Sequence, residues 1–295
     1  MTRSWPAVLV HASASRASCL LPAGAPALFW RGKRVLLAGA SSGLGEALAR
    51  ELSARGAQLA LGARRIDRLE VIAAECTATD GTAHAVLLLD VTDSAEVLAA
   101  DAARASAMLG GPIDVLCYTA GVGQRSSAVE TSAAAHRTLM RTNFDGAVAL
   151  TRALLSPMLE RRSGTIVYVS SVQGFFGQPF RSSYAASKAA LVGYADALRA
   201  EMGGYGVRVT LVAPGYIATD HAASALGAES DGASAVAPRG VPPEELAVRV
   251  ADAAARGRAQ LVASQLDGRV AMLLRALWPA ALFRIMRAKA TKNGQ

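Results

Sequence analysis

The sequence predicts an α/β protein with a doubly wound, seven-stranded parallel sheet in a single domain. Seven short apolar runs, rich in Val, Leu and Ile, alternate with longer helical stretches. The runs lie at 34–38, 58–62, 84–89, 114–118, 164–170, 207–212 and 259–263. Continuous apolar runs suit strands that are buried on both faces. Repeated alternation of strand and helix is typical of a parallel sheet with helices on both sides.

The overall composition is that of a globular protein without a metal centre. Of the 295 residues, 52% are hydrophobic and 18% are charged, which excludes a disordered or fibrous chain. The three cysteines and four histidines are scattered singly, so neither a disulfide framework nor a metal-ligand pattern is present. We therefore expect no bound metal and a reducing location, the cytoplasm.

The positive charge of the chain is confined to its two ends. The net charge is +8, yet residues 1–34 hold five basic and no acidic side chains, and residues 269–295 hold six and none. The central part is weakly acidic. A nucleic-acid-binding domain would carry a basic face within its fold, so we exclude a nucleic-acid partner.

The two terminal segments lie outside the predicted domain, which spans 33–265. Residues 1–32 are rich in Ala, Ser and Pro, and we expect a flexible leader that is disordered or loosely docked; since it has no acidic residue, a transit peptide is the alternative. Residues 266–295 predict a basic amphipathic helical segment, which Pro279 should kink or split. One interpretation is that this segment covers the core or a subunit interface. The other is a peripheral contact with an anionic membrane surface.

A stretch without helix or strand pattern interrupts the domain near its carboxyl end. Residues 220–240 are rich in Ala, Ser and Gly and follow a predicted strand, which indicates a mobile substrate lid. Aromatic residues in the neighbouring loops predict an apolar pocket for a small hydrophobic carbonyl or alcohol substrate. They are Phe175, Phe176, Phe180 and Tyr216.

The first strand leads into a glycine-rich turn, Ala38-Gly-Ala-Ser-Ser-Gly-Leu-Gly45, and then into a helix. The glycines allow a sharp turn and a close approach of the backbone to a ligand. The helix N-terminus behind them offers free N–H groups and a positive dipole end, which attract a pyrophosphate. A glycine loop between a strand and a helix is typical of a Rossmann-type dinucleotide site.

The end of the second strand indicates which dinucleotide is bound. It reads Leu61-Gly-Ala-Arg-Arg65, with no carboxylate where an NAD site usually binds the ribose 2′-hydroxyl. Arg64 and Arg65 stand there instead, and a guanidinium grips a phosphate with two hydrogen bonds. The arginines could also simply solvate a helix start, although cations there oppose the helix dipole. We predict NADP(H), preferred over NAD(H).

Tyr184 and Lys188 begin a later helical stretch, and their spacing places them on one helix face. A cation fixed beside a phenol favours the phenolate and moves the pKa of the tyrosine toward neutrality. Ser171 ends another predicted strand, at the sheet edge where doubly wound folds bind ligands. The three residues together predict an acid–base site.

These segments, in this order, resemble the short-chain dehydrogenase/reductase family over about residues 33–263. The matching segments are Gly39-Ala-Ser-Ser-Gly-Leu-Gly45, Asp90-Val91, Ala120-Gly121, Arg-Thr-Asn143-Phe, Ser170-Ser171, Tyr184-x-x-x-Lys188 and Pro214-Gly-Tyr-Ile-Ala-Thr219. The resemblance implies an NADP-preferring branch that is similar to hydroxysteroid dehydrogenase-like reductases. It also implies a homodimer or homotetramer.

The resemblance implies a role for each matching position. Tyr184 would donate or accept the proton, Lys188 would hold the nicotinamide ribose, and Ser171 would bind the substrate oxygen. Asn143 would support a proton relay through water. The residues expected to bind the cofactor are Gly39, Ser41, Ser42, Gly43, Leu44, Gly45, Arg64, Arg65, Asp90, Val91, Ala120, Gly121, Tyr184, Lys188, Pro214, Gly215, Ile217 and Thr219.

The chain departs from the family pattern at two places. Ala38 replaces the usual threonine before the glycine loop, and Tyr118-Thr119 replaces the usual Asn-Asn. The lost groups normally tie strand ends together by hydrogen bonds, so their absence puts local rigidity and cofactor affinity in question but removes no catalytic group. The function predicted is reversible, NADP(H)-dependent interconversion of a carbonyl and a secondary alcohol. The alternative is a non-catalytic NADP(H)-binding regulatory or scaffold protein on the same fold.

Overall fold

The structure, a computed structural model, describes residues 25–76, 83–219, 225–227 and 240–293. The lid predicted at 220–240 therefore lies outside the described residues, apart from 225–227 and Gly240. Of the leader predicted at 1–32, only 25–32 is described. The assignments made for the remaining leader residues and for 294–295 likewise fall outside the described residues.

Seven parallel strands form one sheet in the order β3-β2-β1-β4-β5-β6-β7, which confirms the predicted fold class. The strands are β1 (Arg34–Ala38), β2 (Gln58–Ala63), β3 (Ala85–Leu88), β4 (Val115–Tyr118), β5 (Gly164–Val169), β6 (Val207–Pro214) and β7 (Gln260–Ala263). The strand order reverses between β1 and β4. A crevice therefore opens beyond their carboxyl ends, where doubly wound sheets bind ligands.

Helices cover both faces of the sheet. They are α1 (Ala25–Trp30), α2 (Gly43–Ala54), α3 (Ile66–Glu75), α4 (Ala95–Met108), α5 (Ala133–Met140), α6 (Gly146–Glu160), α7 (Ser182–Met202), α8 (Pro243–Ala255), α9 (Leu266–Leu277) and α10 (Pro279–Asn293). A π-helical turn, Arg141–Asp145, joins α5 to α6, and a 3₁₀ turn, Val172–Gly174, follows β5.

Two hydrophobic clusters fill the spaces between the sheet and its helices. Successive strand residues alternate between them: Val35 and Leu37 belong to one cluster, and Leu36 and Ala38 to the other. This alternation follows from the two-residue period of a strand. Because both faces of the sheet are buried, residues that point to either face are apolar, and the strands appear in the sequence as continuous apolar runs. Each buried Leu or Val side chain stabilises the folded state by ~1.5–3 kcal/mol.

The packed domain begins before residue 33, earlier than the sequence predicts. Helix α1 packs against α8, and the indole of Trp30 is buried and donates to the carbonyl oxygen of Ala251 at 3.2 Å. The interpretation of 25–32 as part of a flexible leader is wrong, because Trp30 is part of the hydrophobic core. The many Ala, Ser and Pro residues around it give no indication of this packing.

At the other end, α9 and α10 meet at Trp278, whose backbone is not helical. Proline is tolerated in the first turn of a helix but not in its interior, so Pro279 starts α10 instead of continuing α9. None of the helices in the described part of the chain combines the length and the hydropathy that a bilayer crossing requires.

Candidate active site

The glycine-rich loop lies between β1 and α2, at the carboxyl edge of the sheet. Gly39 has a positive φ of 94°, and a Cβ atom there would lie 2.5 Å from the backbone nitrogen of Ala120. A side chain at this position would therefore separate the ends of β1 and β4. Gly43, Leu44 and Gly45 then form the start of α2. The N-terminus of this helix faces the crevice, as a pyrophosphate site requires.

The segment that follows β6 reaches back to this loop. A Cβ atom on Gly43 would lie 3.2 Å from the Thr219 side chain, so the two segments are nearly in contact. Ile217 forms an isolated bridge with Val241, and its carbonyl oxygen accepts from the backbone N–H of Thr219 at 2.9 Å. Thr219, at the end of the segment predicted to touch the nicotinamide, therefore borders the glycine loop, whereas Gly215 lies against Ser264 and Gln265.

Arg65 is bound to the glycine loop by its guanidinium. Its Nη2 donates to the hydroxyl of Ser42 at 2.8 Å and to that of Ser41 at 3.0 Å. Nη2 also donates to the carbonyl oxygen of Ser41 at 3.2 Å. Arg64 is exposed beside it. The cation is thus held at the point where the second strand ends, beside two hydroxyl groups that can also bind a phosphate.

The remaining predicted cofactor residues lie at the ends of β3 and β4. The carboxylate of Asp90 accepts from the backbone N–H and the hydroxyl of Thr92, at 2.9 and 2.8 Å, and Val91 is buried beside it. A Cβ atom on Gly121 would lie 3.2 Å from Asn143 Oδ1 and 3.3 Å from Lys188 Nζ. Gly121 thus keeps the crevice open in front of two predicted catalytic residues.

Ser171, Tyr184 and Lys188 come together as the sequence predicts, and all three are buried. Ser171 lies just beyond the buried end of β5, after Ser170, and the two others lie one turn apart on α7. The hydroxyls of Ser171 and Tyr184 share a hydrogen bond. The ammonium of Lys188 lies 5.9 Å from the centroid of the Tyr184 ring and donates to the carbonyl oxygen of Val169 at 3.0 Å.

Burial dominates the acid–base properties of this pair. Desolvation raises the pKa of Tyr184 above its ordinary value, and the Ser171 hydrogen bond and the charge of Arg181 only partly oppose it. Desolvation also lowers the pKa of Lys188 to about 8. In this structure the pKa of the phenol is therefore raised, against the shift toward neutrality that the spacing to Lys188 predicts, because burial removes water from it.

Asn143 lies in the π-helical turn and is completely buried. Its Oδ1 accepts from the backbone N–H of Val122 at 2.9 Å, and its Nδ2 donates to the carbonyl oxygen of Val122 and to Ser187 Oγ, at 3.0 and 2.9 Å. The amide group therefore joins the loop after β4 to α7. Turns of this type recur at functional sites.

The two departures from the family pattern do not leave the strand ends untied. The Thr119 hydroxyl donates to the carbonyl oxygens of Ala38 and Gly39, at 2.9 and 3.2 Å. The Tyr118 hydroxyl donates to the carbonyl oxygen of Thr142 at 2.6 Å. Thr119 thus joins the ends of β1 and β4, and Tyr118 joins β4 to the π-helical turn.

Gln124 is a residue of the site that the sequence did not indicate. Its Oε1 accepts from the backbone N–H of Tyr184 at 3.0 Å, and its Nε2 donates to the hydroxyl of Thr131 at 2.6 Å. Gln124 also forms a bridge with Leu226, in the short described part of the predicted lid. A single polar residue after a glycine carries no pattern by which it could have been found.

The aromatic residues expected to line a pocket have different environments. Phe176 is buried in a cluster with Val172, Ala271 and Leu282, so its assignment to a pocket wall is wrong. Tyr216 is 40% exposed and lies close enough to Tyr184 to raise its pKa. Among the described residues, no group of His, Cys, Asp and Glu could hold a metal ion.

Comparison with known proteins identifies the family. The model of the short chain dehydrogenase family matches residues 33–229. The chain belongs to the short-chain dehydrogenase/reductase family. Its members are oxidoreductases that act on CH–OH and C=O groups with a nicotinamide cofactor.

Curated relatives extend over most of the chain. Dehydrogenase/reductase SDR family member 7B of Danio rerio is 37% identical over 267 residues, covering 88% of this chain and 86% of that protein. Dehydrogenase/reductase SDR family protein 7-like of Anopheles gambiae is 38% identical over 268 residues, covering 88% and 84%.

Solved structures share the fold. A short-chain dehydrogenase from Streptomyces avermitilis superposes with a TM-score of 0.72 at 28% identity, covering 90% of this chain and 99% of that one. A gluconate 5-dehydrogenase from Burkholderia cenocepacia, in complex with NADP and tartrate, gives a TM-score of 0.70 at 26% identity. It covers 81% of this chain and 96% of its own.

Proposed function

We propose that the protein is an NADP(H)-dependent oxidoreductase that interconverts a carbonyl and a secondary alcohol on a hydrophobic substrate, with Tyr184 as acid and base. One observation carries the proposal: the hydroxyls of Tyr184 and Ser171 are hydrogen-bonded to each other at the carboxyl edge of the sheet, with Lys188 one helical turn away. Two hydroxyl donors that converge there can bind the single oxygen of a carbonyl group.

The crevice fits a nicotinamide dinucleotide. Three glycines border it, and a Cβ atom on any of them would occupy space in the crevice. The nearest neighbours of such an atom would be Ala120 for Gly39, Thr219 for Gly43, and Asn143 and Lys188 for Gly121. When bound, the cofactor supplies or accepts the hydride. The start of α2 would hold its pyrophosphate, and Lys188 its nicotinamide ribose.

The proton is the contribution of this chain. In the direction of reduction, Tyr184 Oη donates a proton to the substrate oxygen, which Ser171 also binds. The raised pKa of Tyr184 keeps the phenol protonated for that step. The ammonium of Lys188, one helical turn away on α7, stabilises the phenolate that remains. Asn143 positions the loop that faces them, through its bonds to Val122 and Ser187.

The preference for NADP(H) is proposed from the arginines that follow β2. The Arg65 guanidinium is held beside the hydroxyls of Ser41 and Ser42, and no carboxylate follows β2 directly. A 2′-phosphate in this place would accept charge-assisted hydrogen bonds from Arg65 and meet the positive charge of Arg64. The gluconate 5-dehydrogenase structure, which contains NADP, is in accord with this proposal.

Location, assembly and substrate are also proposals. The free thiols of Cys76 and Cys117 support a reducing compartment such as the cytoplasm. The family resemblance supports a homodimer or homotetramer. The partly exposed ring of Tyr216, next to Tyr184, supports a substrate with an apolar body.

The test is cofactor oxidation by the full chain with a panel of hydrophobic ketones and aldehydes. We expect consumption of NADPH with at least one class of ketone and at least tenfold lower kcat/KM with NADH. Tight NADPH binding with no turnover over the whole panel would favour the non-catalytic regulatory or scaffold alternative and contradict the proposal.

A further inference from the structure

Helix α9 presents apolar residues on two opposite sides. Gly268 and Ala271 face the protein and are buried. Leu266, Leu273 and Leu277 are 76%, 58% and 76% exposed. Together with the exposed Val270, they follow one another at intervals of four, three and four residues, which places them on one face of the helix. We call this exposed row of four residues the α9 stripe. It is an apolar surface that nothing in the described chain covers.

The apolar surface continues at the junction of the two helices. Trp278, between α9 and α10, is 63% exposed, and Phe283 and Ile285 on α10 are more than half exposed. The Arg275 guanidinium lies 5.5 Å from the centroid of the Phe283 ring. Exposed Trp and Phe next to Arg are typical of segments that lie at the interface between a bilayer and water.

The charge around this surface has one sign. Residues 266–293 contain six basic side chains and a single acidic one, Asp267. Arg269, on α9, is exposed next to the α9 stripe, and Arg284, Arg287 and Lys289 are exposed on α10. An apolar row with a cationic surround is complementary to lipid headgroups with negative charge, which attract basic side chains.

We propose that the α9 stripe and Trp278 dock the protein on the surface of an anionic lipid bilayer. A second copy of the chain is a poorer occupant, because a two-fold contact would bring the cations of both copies together. Lipid satisfies both features at once: acyl chains receive the leucines, and headgroups pair with the arginines. This proposal does not depend on the reaction proposed above.

Docking would bring the lipid surface close to the active site. Ala271 and Leu282, from the protein-facing sides of α9 and α10, are buried with Val172 and Phe176. Val172 directly follows Ser171 in the chain. The docked helices therefore pack on the segment that carries a predicted substrate-binding hydroxyl, which suits a substrate that partitions into the bilayer.

The experiment is flotation of the full chain with vesicles of phosphatidylcholine alone and of phosphatidylcholine with phosphatidylserine. We expect binding to the anionic vesicles at low salt, and a loss of binding at high salt. Leu273→Asp should weaken binding to the anionic vesicles at least tenfold, because the variant loses a leucine that the bilayer would bury and gains a negative charge. The matched control is Val129→Asp, at a fully exposed loop position far along the chain.

A second pair of variants tests the charges. Arg284→Glu combined with Arg287→Glu should weaken binding to anionic vesicles roughly 30-fold or more, since each cation near the surface contributes about fivefold. Arg256→Glu with Arg258→Glu, two exposed arginines before β7, should leave it unchanged. Retained far-UV circular dichroism and NADPH binding establish that the variants are folded.

Three outcomes would overturn the proposal. They are no binding of the wild type to anionic vesicles, equal binding to both lipid compositions, or a Leu273→Asp variant that binds as well as the wild type. Sedimentation of the same proteins without lipid identifies the competing occupant: if Leu273→Asp dissociates an oligomer and vesicles are not bound, a second copy covers the α9 stripe.

Discussion

The side-chain amide of Gln124 accepts a hydrogen bond from the backbone N–H of Tyr184, at 3.0 Å. The bond holds the first turn of α7 against the loop that follows β4. Gln124 is completely buried, and Thr131 fixes its amide in turn. The position of the phenol therefore depends on a residue outside the group formed by Ser171, Tyr184 and Lys188.

We predict that Gln124→Leu lowers kcat about tenfold and changes KM for NADPH much less, since loss of one hydrogen bond is worth ~1 kcal/mol and the phenol is displaced from its productive position. Steady-state kinetics of the purified enzyme measures both constants. Gln124→Glu keeps the acceptor and should recover most of kcat below neutral pH. Equal kcat in wild type and Gln124→Leu would refute a positioning role.

Arg65 is expected to select the phosphorylated cofactor. Arg65→Ala removes a charge-assisted hydrogen bond worth ~1.5–3 kcal/mol, so kcat/KM for NADPH should fall roughly 10- to 100-fold while that for NADH stays within about twofold. The comparison is made by initial rates with both cofactors. Arg68→Ala, one turn into α3 and bound to Glu46, is the control and should leave the ratio unchanged. A parallel loss with both cofactors would contradict selection.

Thr119 is expected to stabilise the cofactor crevice through its hydroxyl. Thr119→Ala loses the bonds to the carbonyl oxygens of Ala38 and Gly39 and should lower the free energy of unfolding by ~1–2 kcal/mol, with weaker NADPH binding. Urea denaturation and fluorescence titration with NADPH measure the two effects. Thr119→Ser keeps the hydroxyl and should behave as the wild type; if the two variants are equally unstable, the lost methyl packing is responsible.

Lys188 should make the stability of the cofactor-free protein depend on pH. Its pKa is lowered by burial from 10.5 to about 8. Between these values the unfolded chain binds a proton that the folded chain has lost, so the free energy of unfolding rises with pH. Below pH 8 both states are protonated and the contribution is constant.

The measurement is urea denaturation of wild type and Lys188→Met over pH 7–10. The difference in free energy of unfolding, wild type minus variant, should rise by about 2 kcal/mol from pH 8 to pH 10. Taking the difference at each pH cancels the titration of other groups, such as Cys117, whose pKa burial raises to about 12. Two parallel curves would mean that Lys188 keeps its ordinary pKa when folded.

The features that depend on residues close together in the sequence, such as strands and the glycine loop, could be predicted from it. Strands such as Arg34–Ala38 are apolar on both faces, and the glycine loop between β1 and α2 has a fixed spacing. Ser171, Tyr184 and Lys188 could be placed together, because strand ends and helix starts meet at one edge of a parallel sheet. Local pattern does not specify the environment of each side chain.

The remaining features depend on contacts between distant residues. Thr119 and Ala38 are 81 residues apart in sequence, and Tyr184 and Gln124 are 60 apart, so neither hydrogen bond leaves a trace in a local window. The pKa of Tyr184 depends on how completely the folded chain removes water from the phenol, which spacing to Lys188 does not reveal. Trp30 is another case, since one buried indole decides whether the segment before residue 33 is packed.

The central claim is that the phenol of Tyr184 transfers the proton. Its most direct test is Tyr184→Phe, measured by single-turnover oxidation of bound NADPH with a ketone substrate and by NADPH titration of the same preparation. We expect NADPH affinity within about threefold of the wild type and a rate lower by roughly 10²- to 10⁴-fold, the contribution of a positioned general acid. A single-turnover rate equal to that of the wild type would contradict it.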